Sequence, residues 1–181
     1  MSHQFVYEMM KIRRIDIGDT EAFWKLQKQL DQETSFMMLE PDERKYELGQ
    51  AVAKVAHTDF IIGAEDNRQL IGYLSAERGH YHRVKDTAYV IIGILKVYQG
   101  QGLGHQFFKA LDEWSREEKI HRAELTVMIN NTQAIALYQK NGFAIEGVRK
   151  DAMCIDGCYI DEFYMSKIYE NNKGTNEENE V

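Results

Sequence analysis

The sequence predicts a mixed α/β domain, with helices on both faces of one sheet of about seven strands. Three observations carry that reading. Short β-rich runs with alternating polarity recur along the chain, as in Ala123, Leu125, Val127 and Ile129. Other stretches return apolar residues every three or four positions, the period of a helix, as in Leu103, Phe107, Leu111 and Trp114. The two patterns follow in the order strand, two helices, three strands, helix, strand, helix, two strands, which a layered sheet-and-helix domain accommodates.

Each element has its own signal. A first strand is expected over residues 7–15, and Asp19 or Thr20 is placed to cap a helix carrying Ala22, Phe23, Leu26 and Leu30 on one face. A second helix is expected after Pro41, with Tyr46, Leu48, Val52 and Val55 as its apolar positions. The connection between them, DQETSFMMLEPDE, is rich in carboxylates and methionine. Residues 60–64 and 70–76 flank Glu65-Asp66-Asn67-Arg68, a hairpin signature. AYVIIGILKV, residues 88–97, reads as a further strand. Asn131 can cap the helix TQAIALYQK, which ends before Asn141-Gly142. Two closing strands surround Asp156-Gly157, a two-residue hairpin turn. Residues 1–169 are therefore expected to form one domain, followed by a disordered polar tail over 170–181.

Bulk properties narrow the class. A chain of 181 residues suits one domain and can bury a core that needs no covalent staple. The net charge of −7 and pI of about 5.4 argue against a nucleic-acid partner held through phosphates and are compatible with a cationic amine. No apolar run approaches the roughly 20 residues of a membrane span, and MSHQFVYEMMKIRR lacks the apolar core of a signal peptide, so a cytoplasmic chain without membrane contact is expected. In the register of the Asp156-Gly157 turn, Cys158 pairs with Ile155 and Cys154 with Tyr159, which sends the two thiols to opposite faces and predicts no disulfide. No metal is expected: His80 and His82 find no third ligand on a strand face, and neither do the cysteines.

The most informative segment is a strand running through Gln99-Gly100-Gln101-Gly102-Leu103-Gly104 into a helix. Glycines let the backbone approach a ligand closely, and the first N–H groups of the helix have no partners within it. Together they suit a phosphate or pyrophosphate. The spacing fits neither G-x-G-x-x-G, since position 105 is His, nor a P-loop, since no Gly-Lys-Ser/Thr follows. A second constellation, Asn131-x-x-Ala134-x-x-Leu137-Tyr138-x-x-x-Gly142-Phe143, places Ala134, Leu137 and Tyr138 on one helix face.

With these two segments in this order, the chain resembles the GNAT superfamily of N-acetyltransferases over roughly residues 7–169. The family's Gln/Arg-x-x-Gly-x-Gly/Ala matches Gln99 through Gly104, and its later Asn-x-x-Ala-x-x-Leu-Tyr-x-x-x-Gly-Phe matches Asn131 through Phe143. The ending EGVRKDAMCIDGCYIDEFYMSKI is similar to bacterial members that acetylate amino acids, protein N-termini or small amines.

The resemblance implies a mostly antiparallel sheet splayed between its fourth and fifth strands, with about four helices and acetyl-CoA lying in the V. Its pyrophosphate would rest on the amides of Gln101, Gly102, Leu103, Gly104 and His105, in the turn that Gln99 and Gly100 open. Ile92, Gly93 and Ile94 would offer main-chain groups to the pantetheine arm, with Asn131 on its other side. Tyr138 would protonate the departing CoA thiolate while a neutral primary amine attacks directly in a ternary complex. The chain departs from the family where many members carry Glu in the fourth strand; here stands Ala88-Tyr89-Val90. Tyr89 as a relay and Glu33 as a base are the substitutes considered, and neither cysteine is required. The acceptor implied is a small amine or an amino-acid α-amine, or alternatively a protein N-terminus or lysine. A homodimer would be unsurprising for the family. A non-catalytic CoA-binding module is the reading from another class.

Overall fold

The computed structural model describes residues 10–170, which form one seven-stranded sheet and four α-helices. In chain order these are β1 (Lys11–Arg14), α1 (Thr20–Glu33), α2 (Leu48–His57), β2 (Phe60–Asp66), β3 (Gln69–Arg78) and β4 (Thr87–Ile94). They continue with α3 (Leu103–Glu117), β5 (Arg122–Met128), α4 (Thr132–Lys140), β6 (Ala144–Ile155) and β7 (Cys158–Ile168). Residues 7–9 of the expected first strand, and all of the expected tail beyond Glu170, lie outside the described residues.

Several boundaries differ from the sequence reading for local reasons. Asp19 holds the N-cap position of α1, as expected, but makes no side-chain cap bond to it; the side-chain cap belongs to Asp16, one turn earlier. Its carboxylate accepts from Gly18 N at 2.7 Å and starts a 3₁₀ turn, while the Asp19 carboxylate reaches back to Asp16 N at 3.0 Å. Tyr46 precedes α2 rather than joining it, because Glu47 caps that helix through Gly49 N and Gln50 N, and the Tyr46 ring packs on Trp24 instead. In the β2–β3 hairpin only Asn67 and Arg68 turn the chain, both at positive φ, and Glu65 and Asp66 belong to the strand. β4 stops at Ile94 and a 3₁₀ turn follows over Lys96–Tyr98. His80 and His82 sit in the exposed loop between β3 and β4, not on a strand. The closing hairpin has the expected register, Cys154↔Tyr159 and Ile155↔Cys158, and both thiols are free and exposed.

The sheet order is β1-β2-β3-β4-β5-β7-β6, with β4 and β5 the only parallel neighbours among the described residues. The helices cover opposite faces. Phe60 stacks on Trp114 of α3, and its ladder partner Ala76 lies an odd number of residues from Tyr73, whose ring meets Phe23 of α1. α4 packs on α3 through Tyr138 and Phe108. The loop from α1 to α2 is held down by Arg44, whose guanidinium grips the buried Asp31 carboxylate at 2.5 and 3.2 Å and reaches Gln27. Losing Arg44 would cost about 3–5 kcal/mol, because the Asp31 carboxylate would stay buried without its partner.

One feature of the ladder matters most for function. β4 and β5 pair only at Thr87↔Arg122, Ala88↔Ala123 and Tyr89↔Glu124. Beyond these residues β4 stays with β3 to Ile94, and β5 stays with β7 to Met128. The sheet opens into a V at Tyr89, between the strands where the splay was expected.

Candidate active site

The open strand exposes backbone to the V, and hydrogen-bond parity decides which residues contribute. Leu95 N donates to Ile71 O at 2.9 Å, and the Gly93 carbonyl lies 3.0 Å from where a Cβ on Gly72 would sit. Residues 93 and 95 therefore point their main-chain groups at β3, and Ile92 and Ile94 point theirs into the gap. The Ile94 carbonyl is taken by Gln99 Nε2 at 2.9 Å, which leaves both Ile92 groups and the Ile94 N–H facing the V. Gly93 differs from its expected part. It offers no main-chain group to the gap, and it is glycine because a Cβ there would sit 2.7 Å from Leu30 Cδ1 of α1.

The turn after β4 is shaped by two glycines at positive φ, Gly100 at +75° and Gly102 at +83°. A Cβ on either would meet nothing within 4 Å, so the surface over this backbone is bare. Gly102 precedes α3 with no side-chain cap, and the first bond across the helix start runs from Gln106 N to Gly102 O. The amides of Leu103, Gly104 and His105 thus have no partner within the helix, which is the donor set an anion needs. The Gln101 side chain folds back onto the Val97 carbonyl at 3.1 Å and leaves its own amide clear. Gly104 has a further role that the sequence did not disclose: a Cβ would lie 2.7 Å from Leu137 Cδ2, so its absence lets α4 approach α3. His105 Nδ1 meets Asn141 Oδ1 at 2.8 Å, tying the start of α3 to the end of α4.

α4 supplies the other wall. Asn131 caps it, its Oδ1 accepting from Ala134 N at 3.3 Å. Tyr138 is only 8% exposed, its ring set between Phe108 and Phe143. Burial first, and the neighbouring Tyr89 phenol second, push the Tyr138 hydroxyl above the ordinary tyrosine range. It is neutral at any working pH. Burial likewise heads the causes that raise Tyr73 and Tyr169.

These three phenols make a measurable prediction. In the unfolded chain each releases its proton near pH 10, whereas the folded protein retains it. Between those values the native state binds more protons than the unfolded one, so stability must fall as pH rises through about 10. Urea midpoints measured from pH 8 to pH 11 are expected to drop beyond pH 10, and a flat profile would contradict the buried environments.

Glu33 and Tyr89 are placed very differently. Glu33 closes α1, and its carboxylate accepts from Lys96 N and from Gln29 Nε2, both at 2.9 Å. It thereby pins the end of β4 to α1. Tyr89 stands where the V opens, on the α1 side of the sheet, and its hydroxyl reaches across to Thr126 Oγ1 of β5 at 2.9 Å. The same face carries residues that the sequence reading passed over. Arg122 Nε donates to Glu124 Oε2 at 2.6 Å, and the rest of its guanidinium holds Glu146 of β6. Arg122, then a hydrogen bond from Ser166, draw the Glu146 carboxyl down to about 2. Alternation along β5 marks Glu124 and Thr126 as facing away from the core, but only the register with β4 sets them beside Tyr89. Among the described residues, no group of three or more His, Cys, Asp or Glu could hold a metal ion, and no helix is long and apolar enough to cross a membrane.

Known proteins share this fold and part of this sequence. The model of the acetyltransferase (GNAT) family matches residues 22–143. Among curated relatives, the L-amino acid N-acetyltransferase AaaT of Escherichia coli is 38% identical over 66 residues, 36% of this chain and 39% of that protein. The N-alpha-acetyltransferase RimI of Mycobacterium tuberculosis is 30% identical over 101 residues, 55% and 61% of the two chains. The chain thus spans less than two thirds of the length of these relatives. Among solved structures, a GNAT-family acetyltransferase from Streptococcus pneumoniae superposes with a TM-score of 0.82 at 25% identity, covering 88% of this chain and 98% of that one. The fold of yncA from Salmonella typhimurium, solved with acetyl-CoA, matches with a TM-score of 0.79 at 18% identity over 90% and 95% of the two chains.

Proposed function

The chain belongs to the acetyltransferase (GNAT) family, and from that premise we propose that it transfers acetyl from acetyl-CoA to the α-amine of an amino acid or a similar small primary amine. The observation that carries the proposal is the conjunction of uncapped amides at the start of α3, the Ile92 backbone groups and the Ile94 N–H left open on β4, and Tyr138, all bordering one V.

The residues present fit acetyl-CoA. Leu103, Gly104 and His105 would give their N–H groups to the pyrophosphate over the bare Gly100–Gly102 surface. Ile92 and Ile94 would pair with the pantetheine amides as an adjacent strand would, and Asn131 would close the arm from α4. An Ile92 or Ile94 N–H aimed at the thioester oxygen stabilises the charge that develops there, an effect typically worth about 3 kcal/mol. When bound, acetyl-CoA supplies the activated acyl carbon. The acceptor would approach from the α1 side, over Tyr89 and Ile91 and beneath the loop that Arg44 holds. The names of two relatives, an L-amino acid and an N-alpha-acetyltransferase, both concern α-amines and support that acceptor class. The second also keeps a protein N-terminus as the alternative. Glu33 acts in this reading by positioning β4, its carboxylate being engaged already.

The test is acetyl-CoA-dependent release of free thiol with a panel of free amino acids, polyamines and peptides with free N-termini. Turnover confined to small α-amines is the expected result, and turnover confined to peptides would shift the acceptor to proteins. Saturable acetyl-CoA binding with no turnover on any amine would leave a CoA-binding module.

A further inference from the structure

The acceptor amine is protonated at neutral pH and must lose a proton before it attacks, yet β4 offers no carboxylate at the mouth of the V. We propose that Glu124 of β5 is the terminal acceptor of that proton, reached through the hydroxyl pair Tyr89–Thr126. The inference rests on the acetyl-transfer reading above.

Three observations converge on it. The Tyr89 Oη–Thr126 Oγ1 bond of 2.9 Å spans the two strands where their ladder ends, so the pair sits at the lip of the gap in which the thioester carbonyl would lie. Glu124 is Tyr89's direct partner across the parallel ladder and stands two residues before Thr126, which puts all three side chains on one face. Its Oε2 takes the Arg122 bond, leaving Oε1 for a hydroxyl or a bridging water. The groups around it are Arg122 on its own strand, Tyr89 on β4, Ser166 on β7 and Glu146 of β6 beyond Arg122. Arg122 is shared between two carboxylates, so the cluster keeps one net negative charge, which suits holding a proton delivered by a cation. Glu77, the competing carboxylate, pairs with Tyr89 from the β3 side, away from the gap between β4 and β5, and is held there by Lys54 of α2.

The step balances. An ammonium proton passes through the hydroxyls to Glu124, each hydroxyl accepting one proton as it gives up another. The freed lone pair forms the C–N bond as the C–S bond breaks. The nitrogen's second transferable proton passes to solvent water, and Tyr138 gives its own proton to the thiolate and takes one back from solvent, so that one proton is released in each turnover. Glu124 then returns its proton to solvent.

The experiment is the pH dependence of kcat/KM for the best amine of the panel in wild type, Glu124→Gln, Thr126→Val and Glu77→Gln, with acetyl-CoA affinity measured alongside. Glu124→Gln is expected to lose about 100-fold near pH 7, within the usual range for a general base. The deficit should shrink toward nothing above the pKa of the amine, where the amine is neutral without help. Thr126→Val should show the same trend with a smaller loss, and Glu77→Gln should match wild type. Acetyl-CoA affinity should stay within twofold throughout. A pH-independent loss in Glu124→Gln, full activity in that variant, or the expected profile appearing in Glu77→Gln would overturn the assignment. Wild type that acetylates no amine would instead overturn the reading on which it rests.

Discussion

Replacing Gly102 with Asp is expected to weaken acetyl-CoA binding at least 100-fold while leaving the fold intact. Gly102 sits at φ +83° ahead of α3, and a side chain there would meet no neighbour within 4 Å. Asp tolerates this left-handed conformation better than most residues, at a cost of about 1 kcal/mol. An acid at a helix start recovers about 0.3–1 kcal/mol from the helix dipole, so the melting temperature should barely move. The ligand suffers more. The new carboxylate stands among the amides of Leu103, Gly104 and His105, where the pyrophosphate would lie. Two like charges about 4 Å apart repel by about 4 kcal/mol at the effective dielectric of a protein surface. A hundredfold weaker affinity corresponds to about 2.7 kcal/mol, comfortably inside that figure. Calorimetric titration against wild type and Gly102→Asn, which keeps the bulk without the charge, separates the two causes. Unchanged affinity in Gly102→Asp would move the pyrophosphate away from α3. Gly104 would be a poorer probe, because its substitution pushes against Leu137 and confounds binding with packing.

Tyr138→Phe is expected to lower kcat by about 100- to 1,000-fold with acetyl-CoA affinity within threefold of wild type, since general acids contribute factors of this size. The buried phenol is a weaker acid than free tyrosine. Handing its proton to a thiolate of ordinary pKa about 8.5 is uphill by at least about 2 kcal/mol, so its main contribution is a hydrogen bond to the sulfur as negative charge gathers there. Burial also keeps it protonated. The alkaline limb of the wild-type pH profile should therefore lie above the normal tyrosine range, and Phe should remove the rate advantage at every pH below it. Single-turnover measurements with saturating acetyl-CoA check this directly, and a variant within threefold of wild type would remove Tyr138 from the chemistry. Loss of one hydroxyl beside Phe108 and Phe143 should cost little stability, because the ring packing survives.

Much of the site could be read from local sequence because its parts are local. The glycine turn, the uncapped start of α3 and the Asn131 cap each depend on neighbouring residues and on backbone conformation, which composition encodes directly. Asp19 is legible as the N-cap of α1, but the 3₁₀ turn that Asp16 caps ahead of it is not, because only the path of the chain into α1 shows that the Asp19 carboxylate turns back to Asp16 and Arg13. Gly93 and Gly104 illustrate a different limit. Both lie in motif segments and invite a role in binding, yet each is also needed because a side chain of another element occupies the space, Leu30 for one and Leu137 for the other.

By itself the sequence determined the order of the elements and the glycine turn ahead of α3, which follow from periodicity and a contiguous motif, while Tyr138 was singled out by the resemblance of its segment to the family pattern. The tertiary structure alone decided which backbone groups of β4 face the V, that Glu33 is engaged with Lys96, and that Glu124 and Thr126 stand beside Tyr89. The physical reason is register. A parallel ladder joins strands separated by a whole helix, and a shift of one residue would turn every β5 side chain to the other face.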